Sequence, residues 1–443
     1  MTDKLNQSMN ETQNNEEGAK YTVNIIDSPC GSGKTTYAMT KLLTQKGKKY
    51  FYITPFIKEV ERVADKLGFF QPHDFKKGGK TRGCLELLKQ GLNISTTHAL
   101  FTISGNEFLN EIKKHGYTLV LDEMLDVSED IKINHNDIVD LEVLERIVLP
   151  VEDFGIVNKG INEYHGGYTQ VKKLMNAINK AEVYSFKCKN ENICLIRQFS
   201  PDILKAFKEV WVMTYLFKDQ IMYAYLLAHK FDVKFHYVKE TTGNEKFEDK
   251  NFELIEGEPP RSGTKYKGLI KIHEDVKGSK PLNAIGEKDK EAKDKLIPLS
   301  SGWWKKHSTD KEKMQIIINN MHNYKQNYLK GKSNLTMWTV FNTYQKIIER
   351  DGYKKGFLEH TSKATNKYKD KTCLMYMIDK RPNPKEKLFY KIMGVTIDEE
   401  RYSLGYLVQW VFRSAIRDDK PISIYIPSKR MRNIFKNWLD GEM

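Results

Sequence analysis

One short segment constrains this chain more than any other: Ser28-Pro29-Cys30-Gly31-Ser32-Gly33-Lys34-Thr35-Thr36. Small residues let backbone N–H groups curl around a phosphate. A Lys at Lys34 supplies a point charge for β- and γ-phosphates, and a hydroxyl at Thr35 suits Mg²⁺. Chance could place Gly-Lys-Thr in a lysine-rich chain, so the context matters more than the tripeptide. YTVNIID before the loop reads as a β-branched strand and TTYAMTKLLTQ after it as a helix, whose N-terminus favours an anion. Ser28 stands where the pattern begins with Gly, while Gly31 and Gly33 keep the turn flexible. The segment predicts an ATP-binding loop formed by Ser28 through Thr36.

The surrounding text predicts an α/β architecture. KKYFYITPF, NISTT, YTLVLDE and EVWVMTYLF read as strands, with helical spacing in IKEVERVADKLG and IMYAYLLAHKF. Strands alternating with helices imply parallel sheets. LTMWTVF, CLMYMI and ISIYIP repeat the pattern downstream, and FDVKFHYV reads as the opening of this second unit. The expected organisation is a mobile tail over 1–20, a first lobe over 21–230 with a helical insertion at about 130–200, and a second lobe over 231–443 with a basic insertion at about 240–312. A length of 443 residues suits two or three domains, and apolar residues at 40% can supply their cores, which excludes global disorder. The excess of 72 Lys and Arg over 58 Asp and Glu favours a polyanionic partner. Cys30, Cys84, Cys188, Cys194 and Cys373 show no paired spacing, so neither a disulfide framework nor structural zinc is expected, and a cytoplasmic location is the natural one. No apolar run is long enough to predict a membrane span.

Two further constellations carry chemistry. Leu119-Val120-Leu121-Asp122-Glu123 is an apolar strand ending in paired carboxylates, at the strand end where parallel sheets bind ligands. Asp122 is expected to hold the Mg²⁺ water shell and Glu123 to take the proton from the attacking water. Far downstream, Gln409 through Arg417 reads as a helix carrying Arg413 and Arg417 on one face, two guanidinium forks suited to a triphosphate or to nucleic-acid phosphates.

With these motifs in place, the chain resembles a superfamily 2 helicase of the divergent phage and mobile-element type. Ser28–Thr36 looks like motif I, Asp122-Glu123 like motif II, Val212–Tyr215 like motif III and Gln409–Arg417 like motif VI, with Phe412 where the family places Gly. The resemblance implies two RecA-like parallel-sheet lobes with a nucleotide cleft between them, and ATP and Mg²⁺ as cofactors. It implies catalytic roles for Glu123, Gln409, Arg413 and Arg417, and nucleic-acid contacts from Thr54, Pro55, Thr97, His98, Thr365 and Asn366. Single-stranded or duplex nucleic acid, DNA rather than RNA, is then the partner, with a role in replication or recombination. Trp338 reads as core, whereas Trp303-Trp304-Lys305-Lys306 is a candidate strand contact, because adjacent tryptophans cannot both face one core from a strand. Lys429-Arg430-Met431-Arg432 is open between a backbone contact and a helix cap. A packaging-motor ATPase and an ATP-gated binding switch are the rival readings.

Overall fold

The computed structural model describes residues 21–29, 31–72, 79–101, 105–188, 191–241, 251–259, 261–287, 296–329, 333–362 and 367–443. The expected tail over 1–20 lies outside them. Among the described residues the strands are, in chain order, β1 (Thr22–Asp27), β2 (Lys49–Thr54), β3 (Ile94–Thr97), β4 (Tyr117–Asp122), β5 (Ser128–Asp130), β6 (Ile147–Val148), β7 (Phe154–Ile156), β8 (Asn158–Lys159), β9 (Glu182–Lys187), β10 (Ile193–Gln198), β11 (Glu209–Thr214), β12 (Asp232–Glu240), β13 (Phe252–Glu256), β14 (Ile270–Ile272), β15 (Thr336–Thr339), β16 (Cys373–Tyr376) and β17 (Ile422–Tyr425).

The first lobe is a sheet ordered β13-β12-β1-β11-β4-β2-β3, parallel throughout except for β13. Its central strands are covered on both faces, which is why YTLVLD and EVWVMT read as unbroken apolar runs and not as alternating ones. The second lobe is a parallel sheet ordered β14-β17-β16-β15. The two cores share one plan. Taking β1, β2, β4 and β11 as the first to fourth core strands, both lobes run first, fourth, third, second. The fold is thus two parallel-sheet α/β lobes, as the strand alternation predicts, in the RecA-like arrangement that the resemblance implies.

Several boundaries move. β12 pairs in parallel with β1, so FDVKFHYV closes the first lobe and does not open the second. The segment at about 130–200 is not a helical insertion. It holds an antiparallel sheet ordered β5-β10-β9-β7, flanked by helices His135–Val143 and Thr169–Lys180. The stretch at about 240–312 is not one basic loop either: β13 extends the first sheet, β14 begins the second, and a helix covers Ser301–His307. That helix also corrects the tryptophan reading. Successive helical side chains diverge by about 100° and not 180°, so Trp303 and Trp304 both enter the core, Trp304 donating to the Met377 carbonyl at 3.2 Å. Trp338 is fully buried as expected, its indole N–H donating to Tyr353 O at 2.9 Å. Arg430 bonds Asp379 and Ser403, and Arg432 bonds the Ile426 and Pro427 carbonyls, so this basic run is tied into the second lobe. Cys188 and Cys194 form a disulfide across the β9–β10 hairpin, contrary to the expectation of unpaired cysteines.

The inserted sheet fastens the lobes together. Helix Pro384–Ile392 of the second lobe sends Phe389 among Phe154, Tyr184 and Phe186, with ring centroids 5.4–5.9 Å apart. Lys385 pairs with Asp130 at 2.9 Å, and the Ser128 hydroxyl donates to Glu386 at 2.7 Å. No helix of the described residues is long and apolar enough to cross a membrane.

Candidate nucleotide site between the lobes

The phosphate-loop residues lie between β1 and the helix Lys34–Tyr37, with Cys30 outside the described residues. Gly31 and Gly33 adopt φ of 86° and 90°, the left-handed region open to glycine at little steric cost. Gly33 has a second constraint, since a Cβ there would meet the Phe252 ring of β13 at 2.3 Å. The departure at Ser28 has a structural reason: its buried hydroxyl accepts the Val238 N–H at 2.9 Å, continuing the tie between β12 and the end of β1. Lys34 turns back on the loop and donates to the carbonyls of Ser28 and, at 2.9 Å, Pro29. Ser32 N donates to Pro29 O, and Thr35 and Thr36 begin the helix.

β4 stands two strands from β1, with β11 between them, and brings the carboxylates to the same edge. Asp122 accepts a hydrogen bond from the buried Tyr52 hydroxyl at 2.7 Å. Burial pushes the Asp122 carboxyl up to about 7, Tyr52 and the Lys34 ammonium draw it down, and Glu123 and Glu59 raise it. Lys34 and Asp122 therefore feel one another across the site. Glu123 takes φ of 78°, unusual for a side chain larger than Gly and costing roughly 1–3 kcal/mol, while its N–H is held by Met213 O of β11. Asp27, at the end of β1, accepts the N–H groups of Leu216 and Phe217, clamping the turn after β11. The Thr214 hydroxyl, at the end of β11, is buried without a partner among the described residues.

The second lobe completes the site. The expected continuous helix from Gln409 to Arg417 is broken: helix Glu399–Val411 ends, a turn carries Arg413, and a 3₁₀ turn spans Ala415–Asp418. Arg413 and Arg417 thus do not share a helical face, yet both point at the first lobe. Arg413 Nη2 lies 3.8 Å from Glu123 Oε1, with the arginine side chain 4% exposed, and its Nε has no partner among the described residues. Arg417 packs over the phosphate loop, 3.4 Å from where a Cβ on Gly31 would stand. Gln409 reaches Tyr215 O at 2.9 Å and so ties the lobes beside the site without touching the loop.

The carboxylate of Asp122 and the hydroxyl of Thr35 are hard oxygen donors, the set that fits Mg²⁺, and the loop with Lys34 fits its polyphosphate. The nucleic-acid candidates are less uniform. Thr54 and Thr97 are paired neighbours at the ends of β2 and β3, next to Pro55 and His98, but Thr54 is buried and offers no surface hydroxyl here. Thr365 and Asn366 lie outside the described residues. Tyr52, Asp27 and the Ser28 hydroxyl were missed by sequence reasoning. Their roles depend on which strands are neighbours, and the residues themselves carry no signal of it.

Fold and site together define a two-lobed α/β protein with a phosphate loop in the cleft between its lobes. The family model described as the YonV C-terminal Rossmann-like domain matches residues 264–439, coinciding with the second lobe. The SPbeta prophage-derived uncharacterized protein YonV of Bacillus subtilis (strain 168) is 32% identical over 436 residues, covering 95% of this chain and 99% of that protein. The chain belongs to the YonV family. Two solved structures are similar in outline: one titled XPD helicase, at 10% identity and TM-score 0.39 over 94% of each chain, and Xpd4 of S. tokodaii, at 13% identity and TM-score 0.41 over 98% of this chain and 96% of that one. At these scores the likeness carries no argument about this chain's activity.

Proposed function

We propose that this chain is an ATP-dependent nucleic-acid helicase or translocase, hydrolysing ATP to ADP and phosphate at the lobe interface. The observation that carries the reading is the approach of Arg413 to Glu123 and of Arg417 to Gly31, two second-lobe arginines reaching the acid-ended strand and the phosphate loop of the first lobe. Lys34 and the loop amides hold the β- and γ-phosphates, and Thr35 and Asp122 hold Mg²⁺. A cation held there would supply neutralisation of phosphate charge. Glu123 orients the attacking water and accepts its proton. Arg413 and Arg417 place positive charge where negative charge develops in the transition state, and because they belong to the other lobe, hydrolysis is tied to lobe closure. The positive net charge and Thr97 at the end of β3 favour a nucleic-acid track, with DNA as the first polymer to test. The prophage origin of the YonV relative supports a role in phage or mobile-element replication or recombination.

The test is ATPase turnover with and without single-stranded DNA, duplex DNA and RNA. Strong stimulation by a strand, together with strand displacement or translocation, is the expected outcome. Nucleic acid bound without turnover would replace the motor by an ATP-gated switch.

A further inference from the structure

We infer that Tyr52 is the positioning residue that presents Asp122 to its divalent cation, an inference resting on the ATPase reading above. The two residues come from adjacent parallel strands, with Tyr52 opposite Val120 in the register of β2 and β4. From there the tyrosine reaches along β4 to its end, where its hydroxyl donates to Asp122 Oδ2 at 2.7 Å. Tyr52 itself is fully enclosed. Its ring packs in the apolar layer with Tyr50, Val63, Met213 and Trp211, so the hydroxyl is held by a side chain with little freedom.

This geometry divides the carboxylate's two oxygens between two tasks. Oδ2 is committed to a neutral donor that cannot leave, which fixes the rotation of the carboxyl group about its Cβ–Cγ bond. Oδ1 accepts no hydrogen bond among the described residues, and Asp122 is only half-buried, so Oδ1 stays available to a ligand. An Asp on a strand end without such a bond samples several rotations, and each metal-binding event must then select one. Donors behind a ligating group typically change metal affinity or activity by roughly 10–100-fold when removed. Tyr52 is also placed two residues before Thr54, so it links the metal end of β4 to the outer end of β2. Its ring is the packing element and its hydroxyl the positioning element, and the two are separable by one atom.

Tyr52→Phe removes that atom and keeps the ring. The measurement is equilibrium binding of a fluorescent ATP analogue to the full chain carrying Glu123→Gln, which stalls hydrolysis, first in EDTA and then across a Mg²⁺ titration. Tyr52→Phe should leave affinity in EDTA unchanged and raise the Mg²⁺ concentration at half-effect by roughly 10-fold or more. In an Asp122→Asn background the same change should do nothing further, since the group it orients is gone. An identical Mg²⁺ midpoint in the presence and absence of the hydroxyl overturns the inference. So does an equal loss in EDTA and in Mg²⁺, which would make Tyr52 a support of the loop and not of the cation. If the parent protein binds the analogue with no dependence on Mg²⁺, the ATPase reading itself fails, and that failure is visible before Tyr52 is changed.

Discussion

The two lobes are built on the same strand order, yet only one of them begins with a phosphate loop. After β1 the chain enters Ser28–Thr36, whose glycines adopt left-handed angles and whose helix starts at Lys34. After β14, the first strand of the second lobe, comes His273-Glu274-Asp275-Val276-Lys277-Gly278-Ser279-Lys280, which has one glycine but no Gly-Lys-Thr run. What the second lobe supplies instead comes from the turn before its β17, where helix Glu399–Val411 stops and Arg413 and Arg417 face the other sheet. A repeated parallel core thus fixes where strand ends lie, while loop chemistry decides which lobe carries the glycine-rich loop and which one carries the arginines.

The sharpest way to break this division is Lys34→Ala in the first lobe. Hydrolysis should fall to background, because the loop loses the ammonium proposed to neutralise the phosphates, while nucleic-acid binding without nucleotide persists. Near-normal turnover measured by phosphate release would show that the first lobe is not the catalytic one.

The second lobe is tested by Arg413→Ala and Arg417→Ala. If these groups act mainly in the transition state, turnover should drop by about 10³-fold for the one acting as the finger, with ATP affinity changed far less. Arg413 is the stronger candidate for a direct partner of Glu123, and Arg417 for the loop. Should both variants hydrolyse normally and lose strand binding, the pair reads nucleic acid, and the lobes are not joined by catalysis.

A smaller effect is expected where the lobes are fastened mechanically. Phe389→Ala removes a fully buried ring from the face of the inserted sheet and should cost about 3–5 kcal/mol in urea unfolding. Lys385→Ala, which breaks a partly exposed pair with Asp130, should cost about 1 kcal/mol or less. Equal effects would mean that the aromatic contact does not hold the second lobe to the insertion.

The smallest effect concerns Asp219, in the turn of the first lobe against which Gly405 of the second lobe packs. Burial raises its carboxyl to about 7, with Arg261 and Arg401 drawing it down. In an unfolded chain such a group titrates near about 4. The folded state therefore holds more proton between these values, so the stability contributed at low pH is lost as pH rises from about 4 through about 7. Asp219→Asn stays neutral, and its melting temperature should gain on the parent's across that window. A difference independent of pH would show that Asp219 is ionised throughout.

Much of this was legible because parallel strands must be apolar on both faces. YTVNIID, KKYFYITP, YTLVLDE, EVWVMTY, CLMYMI and ISIYIP all stand out for that reason, and all are strands. The insertion was not, since short antiparallel strands such as Ser128–Asp130 and Phe154–Ile156 leave too few residues for a period to emerge. The lobe boundary was misplaced because β12 looks the same whether it ends one sheet or begins another. The motif-bearing loop and acid pair could be read locally, being contiguous in sequence. The helix break before Arg413 could not, because its residues favour a helix and only packing stops it at Val411.

The sequence by itself determined the alternation of strands and helices, the phosphate loop and the acid-ended strand, since each rests on short-range sterics and on neighbouring side chains. Tertiary structure alone decided that β11 separates β1 from β4, that Tyr52 stands behind Asp122, and that two arginines from the far end of the chain meet Glu123 and Gly31. Those are contacts between surfaces distant in the chain, and the free energy that selects them comes from burying whole faces against each other, which no local pattern records.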